Sequence, residues 1–241
     1  MKLNSLQVEI LALIKENSGN PTQHTFLDNY LGTTSYRYAI NLPTLRMIAK
    51  EWMNHYRQLS ANDFTKLLTS LAKGNSHTEK IFVGILLDYA TKDQRKFDPV
   101  LFDKWLDHLE GWAEVDSMCS GKYSSREIPG DWTRWKKQLI RLSKSKNINK
   151  RRASIVFLVA PLRKNRNEEM LTIALQNVDR LKSEKEILIT KAISWILRSA
   201  VGHHKEEIKK YVALNKESLP KLAVRETLTK LITGRKTKPK E

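Results

Sequence analysis

Apolar residues recur every three or four positions along almost the whole chain, and this spacing restricts the possible folds more than any other feature. In the stretch SLQVEILALIKE, Leu6, Ile10 and Ile14 fall on one face of a helix. The stretch LPTLRMIAKEW repeats the pattern, with Pro43 placed in a first turn. The same spacing predicts helices at residues 60–71, 78–90, 100–109, 132–142, 150–162, 168–178, 183–200, 205–214 and 218–232. Because glycine and proline are also scarce, we predict an all-α fold.

The helices show weak internal repetition. Four segments share a polar or basic start, an apolar middle and a small residue near the end: EKIFVGILLDYA, KRRASIVFLVA, TKAISWILRSA and AVRETLTKLIT. Ala90 and Ala160 are 70 residues apart, and Ala160 and Ala200 are 40 apart, which fits helix-pair repeats of the HEAT or armadillo kind. Such pairs stack into a curved solenoid with a concave inner face. We predict one domain over residues 1–241, built as a solenoid of HEAT-like antiparallel helix pairs.

Three segments need separate predictions. The stretch SIVFLVAPL has the composition of a buried strand, but it lies in helical register with its neighbours and is predicted to be a buried helix. The stretch SREIPGD, residues 125–131, is predicted to be the main loop, with Pro129 and Gly130 as its turn. Residues 234–241 are predicted to be a frayed basic tail.

Positive charge is concentrated in the second half of the chain. Residues 1–120 contain 13 lysines and arginines against 14 acidic residues, whereas residues 121–241 contain 30 against 12. Residues 122–152 alone hold 11 basic and 2 acidic residues. A basic, solvated surface would explain some of this excess, but the asymmetry favours binding to a polyanion through phosphate contacts. We therefore predict that the concave face of the solenoid is basic.

Several functional classes lack their sequence signals. The chain has no glycine-rich phosphate loop, no HExxH and no CxxC motif. The one cysteine, Cys119, is predicted to be a small core residue, and the neighbours His203 and His204 are predicted to lie at a solvated helix start rather than to bind a metal. No apolar run reaches the length of a membrane span, and the first residues do not resemble a signal peptide, so we predict a soluble cytoplasmic protein.

Two tryptophan-containing stretches carry candidate chemistry. In LEGWAEVDSMCSGKY, Trp112 precedes Asp116 by four residues, so on a helix the ring and the carboxylate share one face. In KAISWILRSA, Trp195 precedes Arg198 by three residues. Each has a structural alternative: a core tryptophan with a capping or ion-paired aspartate in the first case, and a core tryptophan with a surface arginine in the second.

Two further stretches are candidates for DNA contact. In NKRRASIV, Arg151 and Arg152 begin a buried helix at the expected inner edge of a repeat, and both are candidates for the DNA contact that the resemblance described below implies. Tyr30 belongs to a stretch that holds three tyrosines before Pro43.

A ring and a carboxylate together favour a cation. Ring faces attract positive charge by about 0.5–2 kcal/mol per contact, and a carboxylate adds a charge term that grows when water is excluded. A lone carboxylate on a phosphate-binding surface would repel its ligand unless it served an electron-deficient group. A positively charged alkylated base, or the oxocarbenium-like sugar that forms as the base leaves, fits this description.

Together these features resemble the AlkD-like DNA alkylation repair proteins, a HEAT-like repeat family of DNA glycosylases. The resemblance covers about residues 30–232 and is strongest in WAEVD, RRASIVF and KAISWILR. The last of these is similar to the family's A-x-x-W-x-L-R stretch, and YAINLPTLR is similar to its aromatic-G-I-x-x-P-x-x-R segment. The resemblance implies a monomer that binds double-stranded DNA and excises positively charged N3- and N7-alkylated purines. It also implies that no metal or cofactor and no deep base flipping are used.

The resemblance also implies roles for single residues. Asp116 matches the catalytic aspartate, which stabilises positive charge on the deoxyribose and positions the water. The remaining matches contact the DNA near the lesion: Trp112 and Trp195 pack against the lesion-bearing nucleotide, Arg152 and Arg198 are basic contacts, and Tyr30 lies on the opposite lip of the cleft.

Three positions differ from the family's pattern. Ala113 stands where the family has a second acid, Ala39 replaces a glycine, and Asn149 replaces an aromatic residue. The family also contains members that bind DNA without excising these bases. Three hypotheses therefore remain: an alkylpurine DNA glycosylase, which the Trp112–Asp116 pair favours; a non-catalytic protein that binds branched or damaged DNA; and a scaffold for an acidic protein partner, which the charge asymmetry disfavours.

Overall fold

The computed structural model describes residues 3–22 and 30–237, and helices dominate this part of the chain as predicted. The chain forms two compact units, Met1–Gly121 (unit 1) and Lys122–Glu241 (unit 2). The all-α prediction is confirmed, whereas the solenoid, its concave face and the single domain stay predictions. Among the described residues, no helix combines the length and the apolar character needed to cross a membrane.

Unit 1 consists of helices and one small sheet. Its elements in chain order are α1 (Leu3–Glu16), β1 (Gly19–Thr22), β2 (Arg37–Ala39), α2 (Leu42–His55), α3 (Ala61–Ala72), α4 (His77–Tyr89), α5 (Leu101–Leu106) and α6 (Trp112–Cys119). The sheet was not predicted, because four and three residues are too short to show a strand period. Its two strands pair antiparallel, with Gly19 opposite Ala39.

Helix α4 forms the centre of unit 1 and packs against α2, α3 and α6. It begins with a capping box, in which Ser76 and Glu79 satisfy each other's backbone N–H groups. Its central residues are buried almost all round, so the helix has no solvated face. Gly84 brings α6 close, because a Cβ atom at this position would lie 2.1 Å from the carbonyl oxygen of Ser117. The Ser117 hydroxyl donates to the carbonyl oxygen of Ile81 at 2.8 Å, which fixes α6 along α4.

Unit 2 contains helices and no strand among its described residues. Its elements are α7 (Lys122–Gly130), α8 (Trp132–Ser143), α9 (Ile148–Val156), α10 (Val159–Lys164), α11 (Glu168–Leu181), α12 (Ile187–Ala200), α13 (Lys205–Leu214) and α14 (Lys221–Thr233). Helix α12 lies at the centre and packs against α9, α10 and α14. Ile193 and Leu197 of α12 are buried, and so are Trp135 of α8 and Phe157, whose rings are 4.9 Å apart.

Two predictions of secondary-structure elements in unit 2 are wrong. The predicted loop at residues 125–131 is helical up to Gly130, because Ile128 is fully buried and Pro129 stands next to the last residue, where little of the hydrogen-bond ladder is lost. The predicted single helix at 150–162 is two helices, α9 and α10. The chain turns at Phe157 and Leu158, and Pro161 is placed in the first turn of α10, where a proline is tolerated. The stretch SIVFLVAPL is buried and helical on both sides of this turn, as predicted.

Candidate functional site

Helix α6 presents Trp112, Ala113 and Asp116 to a pocket of about 460 Å³ in unit 1. All three side chains are partly exposed, so solvent and a ligand can reach them. The spacing of four residues places the indole and the carboxylate on the same face, as the sequence predicts. The residues between them that face inwards, Glu114 and Val115, are buried. The ring and the carboxylate therefore belong to the pocket wall rather than to the core.

Tyr30 lies beside Trp112, although 82 residues separate them in sequence. Their ring centroids are 5.4 Å apart with the planes at 83°, which is an edge-to-face contact. The indole Nε1 of Trp112 also donates to the carbonyl oxygen of Tyr30 at 2.6 Å. The Tyr30 side chain remains 54% exposed, so the two aromatic residues form an accessible rim in unit 1.

Glu110 fastens the segment that follows Tyr30 to the start of α6. Its Oε2 accepts hydrogen bonds from Thr33 Oγ1 at 3.0 Å, Thr34 N at 2.9 Å and Thr34 Oγ1 at 3.1 Å. Its Oε1 accepts from Ser35 Oγ and from Lys80 Nζ, both at 3.0 Å. Burial raises the pKa of the Glu110 carboxyl, but the Lys80 ammonium and the threonine donors outweigh it and hold that pKa well below its usual range. The carboxylate is therefore charged at neutral pH.

Two glycines allow this segment to approach α6. A Cβ atom on Gly111 would lie 2.1 Å from the carbonyl oxygen of Leu31, so no larger residue fits without moving the backbone. Gly32 adopts φ +74°, in the left-handed region that glycine adopts most readily. The backbone of Gly32 also passes close to Gly111, since a Cβ atom on Gly32 would meet the Gly111 Cα at 3.7 Å.

Glu114 and His77 support α6 from its buried side. Glu114 is fully buried, and its Oε1 lies 2.9 Å from Nδ1 of His77 at the start of α4. Its Oε2 accepts the backbone N–H of Glu110 at 2.7 Å, which satisfies a group at the N-terminus of α6. His77 is 5% exposed and also lines the pocket. The first turn of α6, which carries Trp112, is therefore held by Glu114 and His77 on its buried side and by the contacts of Glu110 where the helix begins.

The rest of the pocket wall combines apolar side chains with charges of both signs. Asp88 lies near the end of α4, where its carboxylate would be 2.3 Å from a Cβ atom placed on Gly121. Arg37 and Arg46 contribute the positive charges. Burial, and then a hydrogen bond with Tyr36, raise the pKa of Tyr38 to about 12, so this lining hydroxyl stays protonated. The wall thus combines two carboxylates and two arginines with an indole and a phenol ring, so charges of both signs stand beside an apolar surface.

In unit 2, Trp195 and Arg198 lie on α12 and are both partly exposed. The Arg198 Nε lies 3.3 Å from Oε2 of Glu226 and donates to Ser194 Oγ at 3.2 Å. The Ser194 hydroxyl itself donates to the same Glu226 oxygen at 2.6 Å. Burial, only partly offset by Glu226, lowers the pKa of Arg198, and the positive charge of Arg163 lowers it further. Arg198 is therefore an oriented cation rather than a freely moving surface side chain.

The two arginines of α9 have different surroundings. Arg151 uses all three guanidinium nitrogens inside unit 2: it forms two bonds to Glu184, at 2.8 and 3.0 Å, and its Nη1 donates to the carbonyl oxygens of Ser145 and Lys146. Arg152 is 3% exposed, and its Nη1 donates to the carbonyl oxygen of Leu188 at the start of α12. DNA contact by these two residues stays a prediction, and for Arg151 the structure shows a fully engaged side chain.

One group among the described residues has the residue types and spacing of a metal site: Glu168, His204 and Glu207. His204 is fully buried, so the predicted solvated helix start is wrong at this residue; the side chain fills the space between the starts of α11 and α13. Its Nε2 accepts the N–H of Asn167 at 3.2 Å, so the neutral ring carries its proton on Nδ1. Arg166 also bonds to Glu168 and Glu207, at 2.8 and 2.9 Å. This chemistry fits an ion-pair network better than a metal centre.

The structure thus brings Tyr30, Trp112 and Asp116 together in unit 1 and places the four predicted residues of unit 2 on α9 and α12, which pack against each other. Sequence reasoning missed the residues that hold the rim, above all Glu110 and Gly111. Glycine followed three residues later by Glu114 indicates a helix start, but the partners of Glu110 are more than 70 residues away in sequence or on α4. No local pattern shows such pairs.

Comparisons with known proteins agree with these observations. Residues 15–231 match the model of a protein family described as DNA alkylation repair enzyme. A solved structure described as a predicted DNA alkylation repair enzyme from Enterococcus faecalis is similar, with a TM-score of 0.69 and 14% sequence identity over 86% of this chain and 93% of that one. At this identity, the similarity bears on the fold alone. No curated protein matches the sequence.

Proposed function

Because the chain belongs to the DNA alkylation repair enzyme family, we propose that it is a DNA glycosylase that excises positively charged N3- or N7-alkylated purines. The reaction hydrolyses the N-glycosidic bond of the damaged nucleotide in double-stranded DNA. The observation that carries this proposal is the placement of Trp112 and Asp116 side by side on the wall of one pocket, with the Tyr30 ring against the indole.

Asp116 supplies the charge that this reaction needs. As the bond to the base breaks, the base leaves with its electron pair and becomes neutral, and positive charge develops on the deoxyribose. A carboxylate next to the sugar stabilises that charge more than it stabilises the ground state, and preorganised groups of this kind contribute about 3–4 kcal/mol. The same carboxylate accepts a hydrogen bond from the attacking water, so it both orients the nucleophile and lowers the barrier.

The aromatic residues supply position. The exposed edge formed by Tyr30 and Trp112 is broad, apolar and fixed by the Glu110 and Gly111 contacts, so a sugar or a cationic ring packs against it without rearranging the protein. Trp195 does the same in unit 2, where it is partly exposed on α12. No deep base flipping is required for this contact.

Unit 2 supplies affinity for DNA. Its sequence contains 30 basic and 12 acidic residues, whereas unit 1 contains 13 and 14. Phosphate contacts made by such a surface are independent of base sequence and weaken steeply with salt. Arg152 and Arg198 are the contacts nearest to the lesion in this proposal. The protein acts as a monomer without a cofactor.

The test is release of free base. DNA methylated at purine nitrogens is incubated with the protein, and free 3-methyladenine and 7-methylguanine are measured. We expect release by the wild type and a rate about 10²–10³ lower for Asp116→Asn. Asp93→Asn is the matched control, because Asp93 also belongs to unit 1, is 84% exposed and, within the described part of the chain, is ion-paired with Lys96 alone, so the same charge change there leaves the rate unaltered.

Two results would contradict the proposal. Tight, salt-dependent DNA binding without base release would establish a non-catalytic protein that recognises branched or damaged DNA, and Ala113 and Asn149 would be the first positions to examine. Failure of duplex DNA to bind at all would favour a scaffold for an acidic protein.

A further inference from the structure

His77, the first residue of α4, presents one nitrogen of its imidazole ring to the pocket of unit 1. The side chain is largely buried, yet it lines the pocket. Its Nδ1 lies 2.9 Å from Oε1 of Glu114, on the inner side of α6. Over the residues that the structure describes, no protein group bonds to Nε2, and this nitrogen is not enclosed by protein. One ring nitrogen is therefore turned to the interior and the other to the pocket.

The Glu114 carboxylate determines which ring nitrogen carries the proton. Glu114 is fully buried, and its Oε2 already accepts the backbone N–H of Glu110 at 2.7 Å. An ionised carboxylate only accepts hydrogen bonds, so the contact with His77 places a proton on Nδ1. In the neutral ring, Nε2 then has a lone pair and is an acceptor. A buried carboxylate behind an imidazole whose other nitrogen reaches the substrate is the arrangement of the general base in many hydrolases.

The imidazole and the Asp116 carboxylate lie at neighbouring levels of the same pocket wall. His77 contacts Glu114 near the starts of α4 and α6. One turn further along both helices, the Ser117 hydroxyl donates to the carbonyl oxygen of Ile81. The two helices therefore run side by side in the same direction, with His77 level with Glu114. Because each residue adds about 1.5 Å along a helix axis, Asp116 is only about 3 Å further on. Both side chains line the pocket.

The other polar side chains of the pocket are less suited to accept a proton. Arg37 and Arg46 carry guanidinium groups, which stay protonated in proteins. Burial raises the pKa of Tyr38 to about 12, so its hydroxyl keeps its proton. Asp88 is a carboxylate, and carboxylates are weak bases at neutral pH, whereas the basicity of an imidazole matches neutral pH. His77 is therefore the side chain of this pocket with the chemistry of a general base.

We propose that His77 is a catalytic residue, the general base that takes a proton from the attacking water, and that Glu114 is its positioning residue. The inference rests on the proposed glycosylase reaction. The water oxygen bonds to C1′ of the deoxyribose as the bond from C1′ to the base nitrogen breaks, and the electron pair of that bond leaves with the base. One proton of the water passes to Nε2, while Asp116 accepts a hydrogen bond from the other. The Glu114 carboxylate stabilises the imidazolium through Nδ1–H until the proton is released to solvent.

Replacement of His77 by asparagine separates the catalytic role from the structural one. The amide nitrogen of asparagine stands where Nδ1 stands in histidine, so His77→Asn keeps a donor for Glu114 but has no group in place of Nε2. The assay measures single-turnover release of 3-methyladenine and 7-methylguanine from methylated DNA at saturating protein. We expect a rate about 10²-fold lower, with the DNA affinity and the melting temperature close to those of the wild type. His108→Asn is the matched control, because His108 is an exposed residue of unit 1 outside the pocket wall.

Two further measurements respond to proton transfer and not to folding. His77→Ala leaves a space that opens into the pocket, and we expect added imidazole to restore part of the rate. At equal concentration of neutral base, 4-methylimidazole, the stronger base, should restore more of it. Glu114→Gln should slow release when His77 is present and add no further loss to His77→Asn, because a positioning residue acts only through the group that it positions.

Base release by His77→Asn at the wild-type rate would overturn the inference and leave the glycosylase proposal intact. A rescue of His77→Ala that did not depend on the basicity of the added imidazole would also overturn it, because filling the space would then be sufficient. Equal losses from Glu114→Gln with and without His77 would assign Glu114 a structural role alone. A wild type that released no base in the same assay would refute the glycosylase proposal itself, so the two failures are told apart by the wild type.

Discussion

Replacing Gly111 by alanine tests whether the rim formed by Tyr30 and Trp112 requires a residue without a side chain at position 111. The backbone of Gly111 has φ −105° and ψ 162°, values that alanine adopts without strain. The effect of Gly111→Ala is therefore steric alone. The new methyl group would lie 2.1 Å from the carbonyl oxygen of Leu31, where ordinary contact begins near 3.4 Å, so the two segments must move apart by about 1.3 Å.

That movement has a calculable cost. Both colliding groups belong to the backbone, and the segment after Leu31 is fastened by Glu110, so neither can turn aside as a flexible side chain would. Overpacking of this kind costs about 1–3 kcal/mol. If the segment yields instead, the hydrogen bond from Trp112 to Tyr30 is lost at about 1 kcal/mol. For a chain of this size, we expect the melting temperature to fall by about 3–10 °C.

Two measurements check this prediction. Thermal unfolding by circular dichroism gives the stability change, and base release from methylated DNA gives the functional one, for which we expect a loss of about tenfold as Tyr30 moves away from Trp112. Gly130→Ala is the control. Gly130 is the last residue of α7, and no atom lies within 4 Å of the methyl group that alanine would add, so the melting temperature of this variant should equal or slightly exceed that of the wild type. A Gly111→Ala protein with wild-type stability and activity would refute the argument that close approach at this glycine builds the rim.

Two further predictions concern side chains with many partners. Glu110→Gln should destabilise unit 1 by about 1–3 kcal/mol, because Lys80 is left buried with its charge unpaired. Folding lowers the pKa of the Glu110 carboxyl, so the contribution of this carboxylate to stability is complete above the ordinary value of 4.5 and is lost as pH falls further. The difference in unfolding free energy between wild type and Glu110→Gln, measured by urea titration, should therefore narrow below that pH. A difference that did not depend on pH would contradict this prediction. Arg151→Gln should lower the melting temperature, because Glu184 loses both its bonds. The salt slope of DNA binding tests the predicted DNA contact of Arg151: a lower slope in the variant would support it, and an unchanged slope would contradict it.

The helices could be predicted from the sequence because each buries one face, and the apolar residues of that face recur every three or four positions within a short stretch of sequence. Errors arose where a local signal was outweighed by packing. Pro129 and Gly130 are typical of a turn, but the burial of Ile128 keeps the chain helical through them. The apolar run around Phe157 continues across a change of direction, and Pro161 marks the new helix rather than the end of the old one.

For the candidate site, the sequence indicated the residues that would act but not those that hold them. Trp112 and Asp116 are four positions apart, so a helix alone places them together. Tyr30 reaches Trp112 only through the fold, and the resemblance to a family, rather than any spacing, selected it. Glu110 and Gly111 contact residues that only the tertiary fold brings near, so no periodic pattern in the sequence indicates their roles.

The distribution of charge between the two units follows from two conflicting requirements of the proposed reaction. Binding a duplex requires many cations, yet a carboxylate that stabilises a developing cation loses most of its field when neighbouring cations neutralise it. A uniformly basic protein would satisfy the first requirement and fail the second. Here the boundary between the units falls at residues 121 and 122, and the net charge changes there from −1 to +18. Asp116 belongs to the nearly neutral unit 1, whose sequence carries far fewer cations to offset a carboxylate than that of unit 2.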